Sequence, residues 1–241
     1  MEKQTLDFRK GEILLVDKPL EWTSFDVVNK IRWNLRKKYN LKKFKVGHAG
    51  TLDPLATGLL IICTGKKTKE ITELIEDDKT YTGTFLLGKT TPSHDLETAY
   101  NQDFPIGHIN AAMIHETAQG FVGEQTQVPP IFSAKKINGK RAYDLARQGK
   151  EVGLKENEIT IHSFTIEAIR FPEVDFKITC SKGTYIRSIA NDFGAKLESG
   201  ATLIKLRRES SGRFSVDDAL SVEKWVEIIQ SIEVVGADYF D

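Results

Sequence analysis

An α+β fold with a mixed, largely antiparallel central sheet is what this 241-residue sequence predicts, and three observations point there. Strand-like and helix-like stretches are mixed without the regular strand–helix–strand cadence that builds a parallel sheet. No internal repeat or low-complexity linker divides the chain. With 40% apolar and 28% charged residues, the composition is that of a globular protein with a sizeable core. It fits one large domain, or one domain with a small appendage.

In chain order, "GEILLVDKP" reads as a strand that stops at Pro19. "TSFDVVNKIRWNLRKKY" follows as a helix. Thr23 and Asp26 have capping-box spacing, and Val27, Ile31 and Leu35 recur every four residues, leaving a basic outer face. "GLLIICTG", apolar and bounded by glycines, reads as a buried strand. Ile71, Leu74 and Ile75 mark a helix across "KTKEITELIED". In "KTYTGTFLLG", Tyr81, Phe85 and Leu87 alternate with Thr82 and Thr84, as in a half-buried strand. The polar stretch "KTTPSHDLETAYNQDFP" is predicted as a loop. Behind it come a helix around Ala111–Ala118, a loop in "EQTQVPPIFSAKKING" and a helix in "RAYDLARQG". Residues 158–171 and 173–180 read as two strands. "TYIRSIANDFGAKL" turns Ile186, Ile189, Phe193 and Leu197 inward as a helix, and "LSVEKWVEIIQSI" is a terminal helix with Val222, Trp225, Val226 and Ile229.

No window is apolar for long enough to span a bilayer, and the N-terminus has no apolar secretory core. Cys63 and Cys180 stand far apart in apolar runs, so they read as reduced core thiols of a cytoplasmic protein. The net charge is zero, but it is unevenly spread. Lys30 to Lys45, "KIRWNLRKKYNLKKFK", holds eight Lys or Arg and no acid. Smaller basic clusters follow at "GKKTK", "KKINGKR" and "KLRRESSGR". The segment from Phe214 to Asp241 has seven acids against Lys224 alone, which leaves +6 on residues 1–213. A basic body with an acidic end fits a polyanion on one face. Any single cluster also fits a solvated helix face.

Common chemistries find no footing. The five histidines show no ligand-spaced pair on one helix, and there is no CxxC. "TGKKT" lacks the earlier glycine and the Ser or Thr of a phosphate loop, no GxGxxG follows a strand, and no G-x-S-x-G is present. What remains are carboxylates, tyrosines and a basic surface. Among them "GHAGTLDPLATGLL" places Asp53 between Leu52 and Pro54, with glycines on both sides. Asp before Pro starts turns; a catalytic carboxylate on a shaped loop needs the same residues. Asp53 with Asp95 would be a glycosidase dyad if their separation allowed it.

Several stretches together resemble the TruB family of tRNA pseudouridine synthases, from about Gly11 to Leu220. They are "VDKPLEWTSFDVV", "VGHAGTLDPLATGLLIICTGKKTK", "KTYTGTFLLG", "PPIFSAKKINGKRAYDLARQG", "CSKGTYIRSIANDFG" and "LRRESSGRF". The resemblance implies the pseudouridine synthase fold with a catalytic cleft. It implies conversion of the uridine at position 55 in the T-arm of tRNA to pseudouridine, with no cofactor and no metal. It makes Asp53 the nucleophile and Arg187 the guanidinium that keeps the nucleophile ionised. Tyr81 is implied to stack on the uracil and to help remove the C5 proton. Tyr185 and Leu206 line the base pocket, and His48 contacts RNA near the space the base leaves. Lys18, in "DKP", lies in a motif near the active site without an assigned step. Read without the family, Arg187 is a helix-surface arginine, Tyr81 a core aromatic and His48 a hydrogen-bonded loop residue.

The resemblance also implies a catalytic domain over residues 1–220 and a short acidic C-terminal helix and tail over 221–241. The small C-terminal RNA-binding domain of longer relatives is then expected to be absent or vestigial. A cytoplasmic monomer with tRNA as partner, no membrane and no obligate protein partner is expected. One departure stands out: Glu21 occupies the place, two residues after Pro19, where the family usually has glycine. Against the enzyme stand a non-catalytic RNA-binding or tRNA-folding module and the glycosidase. The first would keep its cellular function without the Asp53 carboxylate; the second would release sugar without RNA.

Overall fold

A computed structural model describes residues 6–132, 136–137, 140–141 and 155–233. Its strands and helices in chain order are β1 (Ile13–Lys18), α1 (Ser24–Lys38), β2 (Val46–Ala49), β3 (Ala56–Thr64), α2 (Ile71–Glu76), β4 (Lys79–Leu87), β5 (Lys89–Thr90), β6 (Gln102–Asp103), α3 (Ala111–Gln119) and β7 (Gly123–Gln127). After them come β8 (Lys136–Ile137), β9 (Lys140–Arg141), β10 (Asn157–Arg170), β11 (Glu173–Cys180), α4 (Ile186–Lys196), β12 (Ala201–Ser211), β13 (Phe214–Ser215), β14 (Leu220–Ser221) and α5 (Val222–Ser231). The helix expected in "RAYDLARQG" lies outside the described residues. The chain forms two compact units, Met1–Asp77 with Arg207–Asp241, and Asp78–Leu206.

In the first unit β1 pairs antiparallel with β3 and parallel with β14, while β2 runs antiparallel along β3. β3 is buried along nearly its whole length, as its unbroken apolar run requires. Leu59, Ile61 and Cys63 face a cluster with Ala49, Leu74 and Val216. Helix α1 starts where the sequence places it. The Thr23 hydroxyl accepts from the Asp26 N–H at 3.0 Å, and Asp26 accepts from the Thr23 N–H at 2.9 Å. Val27, Val28, Ile31 and Leu35 make its buried stripe. Helix α5 packs on α1 and β1. Lys38 Nζ donates to the Gln230 carbonyl at 2.7 Å, and Trp225 Nε1 donates to the Leu15 carbonyl at 2.8 Å.

The second unit carries the antiparallel order β4–β11–β10–β7. Phe85, Phe164 and Phe176 from its strands meet Phe121 and Phe193 in one aromatic core. Phe85 stacks on Phe176 at 4.1 Å, and Phe193, from α4, lies 5.3 Å from Phe85. Such pairs contribute about 0.5–1.5 kcal/mol each beyond area burial. Ile186, Ile189, Phe193 and Leu197 are all buried, as the helical spacing requires.

The α+β class and the largely antiparallel pairing hold, with β1–β14 as a parallel exception. Three readings need correction. The expected loop at "EQTQ" is strand β7, an edge partner of β10 whose polar side chains alternate in and out. The expected loop "KTTPSHDLETAYNQDFP" carries the short antiparallel pair β5 and β6. The helix expected across "KTKEITELIED" is shorter, since Gly65–Glu70 winds as a 3-10 turn and only Ile71–Glu76 is α-helical, and Ile75 is exposed. Both cysteines are free and buried, and burial pushes each thiol up to about 11, which leaves them unreactive.

Candidate active site

Asp53 stands on the connection between β2 and β3, in the first unit. The connection is a turn, with the Ala56 N–H donating to the Asp53 carbonyl at 3.1 Å, but one fixed from several sides. Before Asp53, the Leu52 N–H donates to Ser24 Oγ at 2.8 Å, and Ser24 Oγ donates to the Leu52 carbonyl at 3.1 Å. Ser24 is buried in the first turn of α1, so the capping box that starts the helix also sets the grip on the loop. After Asp53, the Pro54 carbonyl accepts from the Glu21 N–H at 2.8 Å and from Lys18 Nζ at 3.4 Å.

Glu21 has φ +66°. Glu21 thus adopts a left-handed conformation that glycine would take without strain, at a cost of about 1 kcal/mol. Lys18 is fully buried and also donates to the Pro19 carbonyl at 2.9 Å and the Trp22 carbonyl at 2.6 Å. Burial pulls its ammonium down to about 8, against the attraction of Asp53 and Asp26. The motif around Lys18 was legible in the sequence; its role was not. It is a cation placed by the fold in the electrostatic field of Asp53. His48, on β2 opposite Ile62, is held below the ordinary histidine range by burial and then by the Arg208 guanidinium, so the ring is neutral at pH 7.

Tyr81, Tyr185, Arg187 and Leu206 belong to the second unit. Tyr81 is buried on β4, opposite Ile178 of β11. Tyr185 caps α4. Its N–H donates to Gln127 Oε1 at 2.8 Å, and its carbonyl accepts from Gln127 Nε2 at 3.1 Å. Leu206 is half-buried on β12. Arg187 is 4% exposed, so it is not a helix-surface residue. Its Nη1 donates to the Phe132 carbonyl at 2.9 Å, and its Nε lies 3.6 Å from Asp95 Oδ2. Asp95 is itself buried and accepts from the Glu97 N–H at 2.9 Å. A cation in the first turn of a helix opposes the macrodipole; Asp95 and the carbonyls around Arg187 offset that cost. Sequence reasoning placed Asp95 only as the second half of a dyad with Asp53. The geometry makes it the acid of an ion pair with Arg187.

The basic clusters also sort themselves. Arg207 makes a bidentate pair with Asp17, at 3.0 and 2.9 Å, and Arg208 is buried. Arg208 is thus taken up inside the fold, while Arg207 stays partly exposed beside Asp17. On α1, Phe25 and Trp33 are more than half exposed, with Arg32 5.8 Å from the Phe25 ring centre and Lys37 5.3 Å from that of Trp33.

The family pattern described as "TruB family pseudouridylate synthase (N terminal domain)" matches residues 36–186. The chain is 53% identical over 225 residues to the tRNA pseudouridine synthase B of Flavobacterium johnsoniae, covering 93% of this chain and 98% of that one. It is 49% identical over 229 residues to the protein of that name from Phocaeicola vulgatus, covering 95% and 97%. Among solved structures, a chain of a Cbf5-Nop10-Gar1 complex superposes with TM-score 0.68 at 27% identity. A chain of an H/ACA RNP bound to a substrate RNA containing 2'-deoxyuridine does so with TM-score 0.65 at 25%. Each match covers 91% of this chain and 54% or 53% of the other, so this chain spans about half the length of those two.

Proposed function

The chain belongs to the TruB family of pseudouridylate synthases, and from that premise we propose that it isomerises the uridine at position 55 in the T-arm of tRNA, with Asp53 as nucleophile. It is a tRNA pseudouridine synthase, an isomerase. The N1–C1′ bond of the nucleoside breaks, the uracil rotates, C5 bonds to C1′ and the C5 proton leaves as N1 gains one, so atoms and electrons balance without a redox partner.

The observation that carries the reading is the fixation of the Asp53 loop: Ser24 grips Leu52, while Glu21 and Lys18 grip Pro54. A nucleophile gains most from such support, because the attacking oxygen must meet a reacting carbon within a few tenths of an ångström. Lys18 adds a positive charge that favours the ionised carboxylate. In this reading Arg187 balances the charge of the nucleophile during the reaction and Asp95 fixes the guanidinium. Tyr81 stacks on the uracil and assists removal of the C5 proton. Tyr185 and Leu206 wall the base, and His48 contacts the RNA beside the vacated position.

The target nucleotide leaves its stack before a carboxylate reaches it, at a cost of a few kcal/mol. Aromatic stacking and phosphate contacts offset that cost. The exposed face of α1, with its cation-covered rings, is suited to such contacts. No helix among the described residues is long and apolar enough to cross a membrane. The working form proposed is a cytoplasmic monomer.

The test is pseudouridine mapping on an unmodified T-arm hairpin and on whole tRNA, with light scattering of the purified protein. One modified position, at 55, in the presence of EDTA and by a species near 27 kDa is the expected result. Modification elsewhere, or release of free base, contradicts the assignment.

A further inference from the structure

We propose that Arg208 is a positioning residue for the catalytic loop, a guanidinium tie joining the two ends of residues 50–59 so that Asp53 is held at a fixed height between them. The inference rests on the reading of Asp53 as nucleophile. Arg208 heads the large side chains that are fully buried, at 1% exposure. Its Nε donates to the Leu59 carbonyl at 2.7 Å and its Nη2 to the Gly50 carbonyl at 3.1 Å. These two acceptors bracket the loop, one just after β2 and the other inside β3.

The loop is built to admit the arginine. Gly50 has φ +85°, and a Cβ there would stand 3.3 Å from Arg208 Nη1. Gly58 has φ +99°, and a Cβ there would run into the Arg208 main chain. Gly58 therefore admits the Arg208 main chain, and Gly50 keeps its positive φ close beside the guanidinium. A lysine would not replace this arrangement. A planar guanidinium sends rigid donors in different directions at once, whereas an ammonium is a point on a flexible stem.

Carbonyls, rather than a carboxylate, accept from the guanidinium. Its full charge is therefore not cancelled by these bonds and stays inside the loop's surroundings. It is felt on both sides: it adds to the fall of Lys18 and to that of His48. Lys18 grips the middle of the loop and Arg208 its two ends. The sequence alone placed Arg208 in a surface cluster for a polyanion; its burial removes it from that task.

The experiment compares Arg208→Met, Arg208→Lys and Asp53→Asn in single-turnover pseudouridine formation and in tRNA binding. The expected rate falls about 100-fold for the Met variant and about 10-fold for the Lys variant, with affinity within about twofold of the wild type. In Arg208→Ala, added ethylguanidinium restores part of the rate, and it restores nothing in Asp53→Asn. A folded Met variant that reacts at the wild-type rate overturns the proposal, and so does a loss confined to affinity. If melting curves show the Met and Ala variants unfolded, the Lys variant decides by the same criterion. An active Asp53→Asn would instead overturn the reading of the loop as catalytic. An inactive Asp53→Asn beside unimpaired Arg208 variants would remove the tie alone.

Discussion

Lys18 carries a charge that the fold keeps out of water but does not leave without acceptors. Three carbonyls receive its ammonium, and Asp53 and Asp26 attract it. Burial still dominates and brings it from 10.5 to about 8. The sign of the linkage follows. Between pH 8 and 10.5 the unfolded chain binds more protons at this residue than the folded one, so stability rises with pH across that window. Below pH 8 both states are protonated and the burial cost is fully present. Lys18→Met does not titrate. The stability of the wild type relative to this variant is therefore expected to increase from pH 7.5 to 9.5 in urea unfolding; a flat or falling difference contradicts the buried cation. At this scale the sequence announced charge but not burial. Asp53 stood out because a carboxylate interrupts a small, apolar loop. Arg208 and Asp95 did not, since nothing in "KLRRESSGR" or "TTPSHDLETAY" separates a tie or an ion-pair partner from a solvated side chain.

Helix α1 joins two tasks. Its buried stripe and capping box anchor the Asp53 loop through Ser24, while its outer face carries Phe25, Arg32, Trp33 and Lys37. An exposed ring under a cation gains about 0.5–1 kcal/mol, and a base stacked on such a ring contributes about 1–3 kcal/mol. Trp33→Ala combined with Lys37→Ala is expected to weaken tRNA binding at least 10-fold and to lower the slope of log affinity against log salt by about 1. Filter binding at several salt concentrations reads both, and unchanged affinity removes α1 from the RNA surface. This helix was legible because its capping residues and its spacing of four agree with each other. Strands β7 and β12 were not. In "EQTQ" the pairing partner β10 supplies the strand, and in "LIKLRRESS" the charges hide a run in which Arg207 pairs with Asp17 and Arg208 is buried on main-chain carbonyls. Thr84 shows the same effect within a strand that was recognised. It is buried despite its polar type because its hydroxyl donates to Asp175 Oδ1 at 2.8 Å.

Across the whole molecule, a net charge of zero conceals a division of labour. Acids are concentrated near the C-terminus, where α5 packs on α1, and part of the basic content is spent on internal pairs such as Arg207 with Asp17 and Arg187 with Asp95. The exposed cations of α1 are the ones the proposed function assigns to RNA. The α+β class and the family followed from patterns and motifs in order along the chain, and the same motifs single out Asp53 as the proposed nucleophile. The support of that nucleophile came from residues 18, 21, 24 and 208, which only folding assembles around one loop. All of that support has a purpose only if the Asp53 carboxylate reacts. Asp53→Asn keeps size and shape while removing the ionised oxygen, so single-turnover pseudouridine formation on a T-arm hairpin isolates the chemistry from folding and binding. The expected variant melts and binds RNA like the wild type and forms no pseudouridine; product appearing at the wild-type rate would rule out Asp53 as the nucleophile.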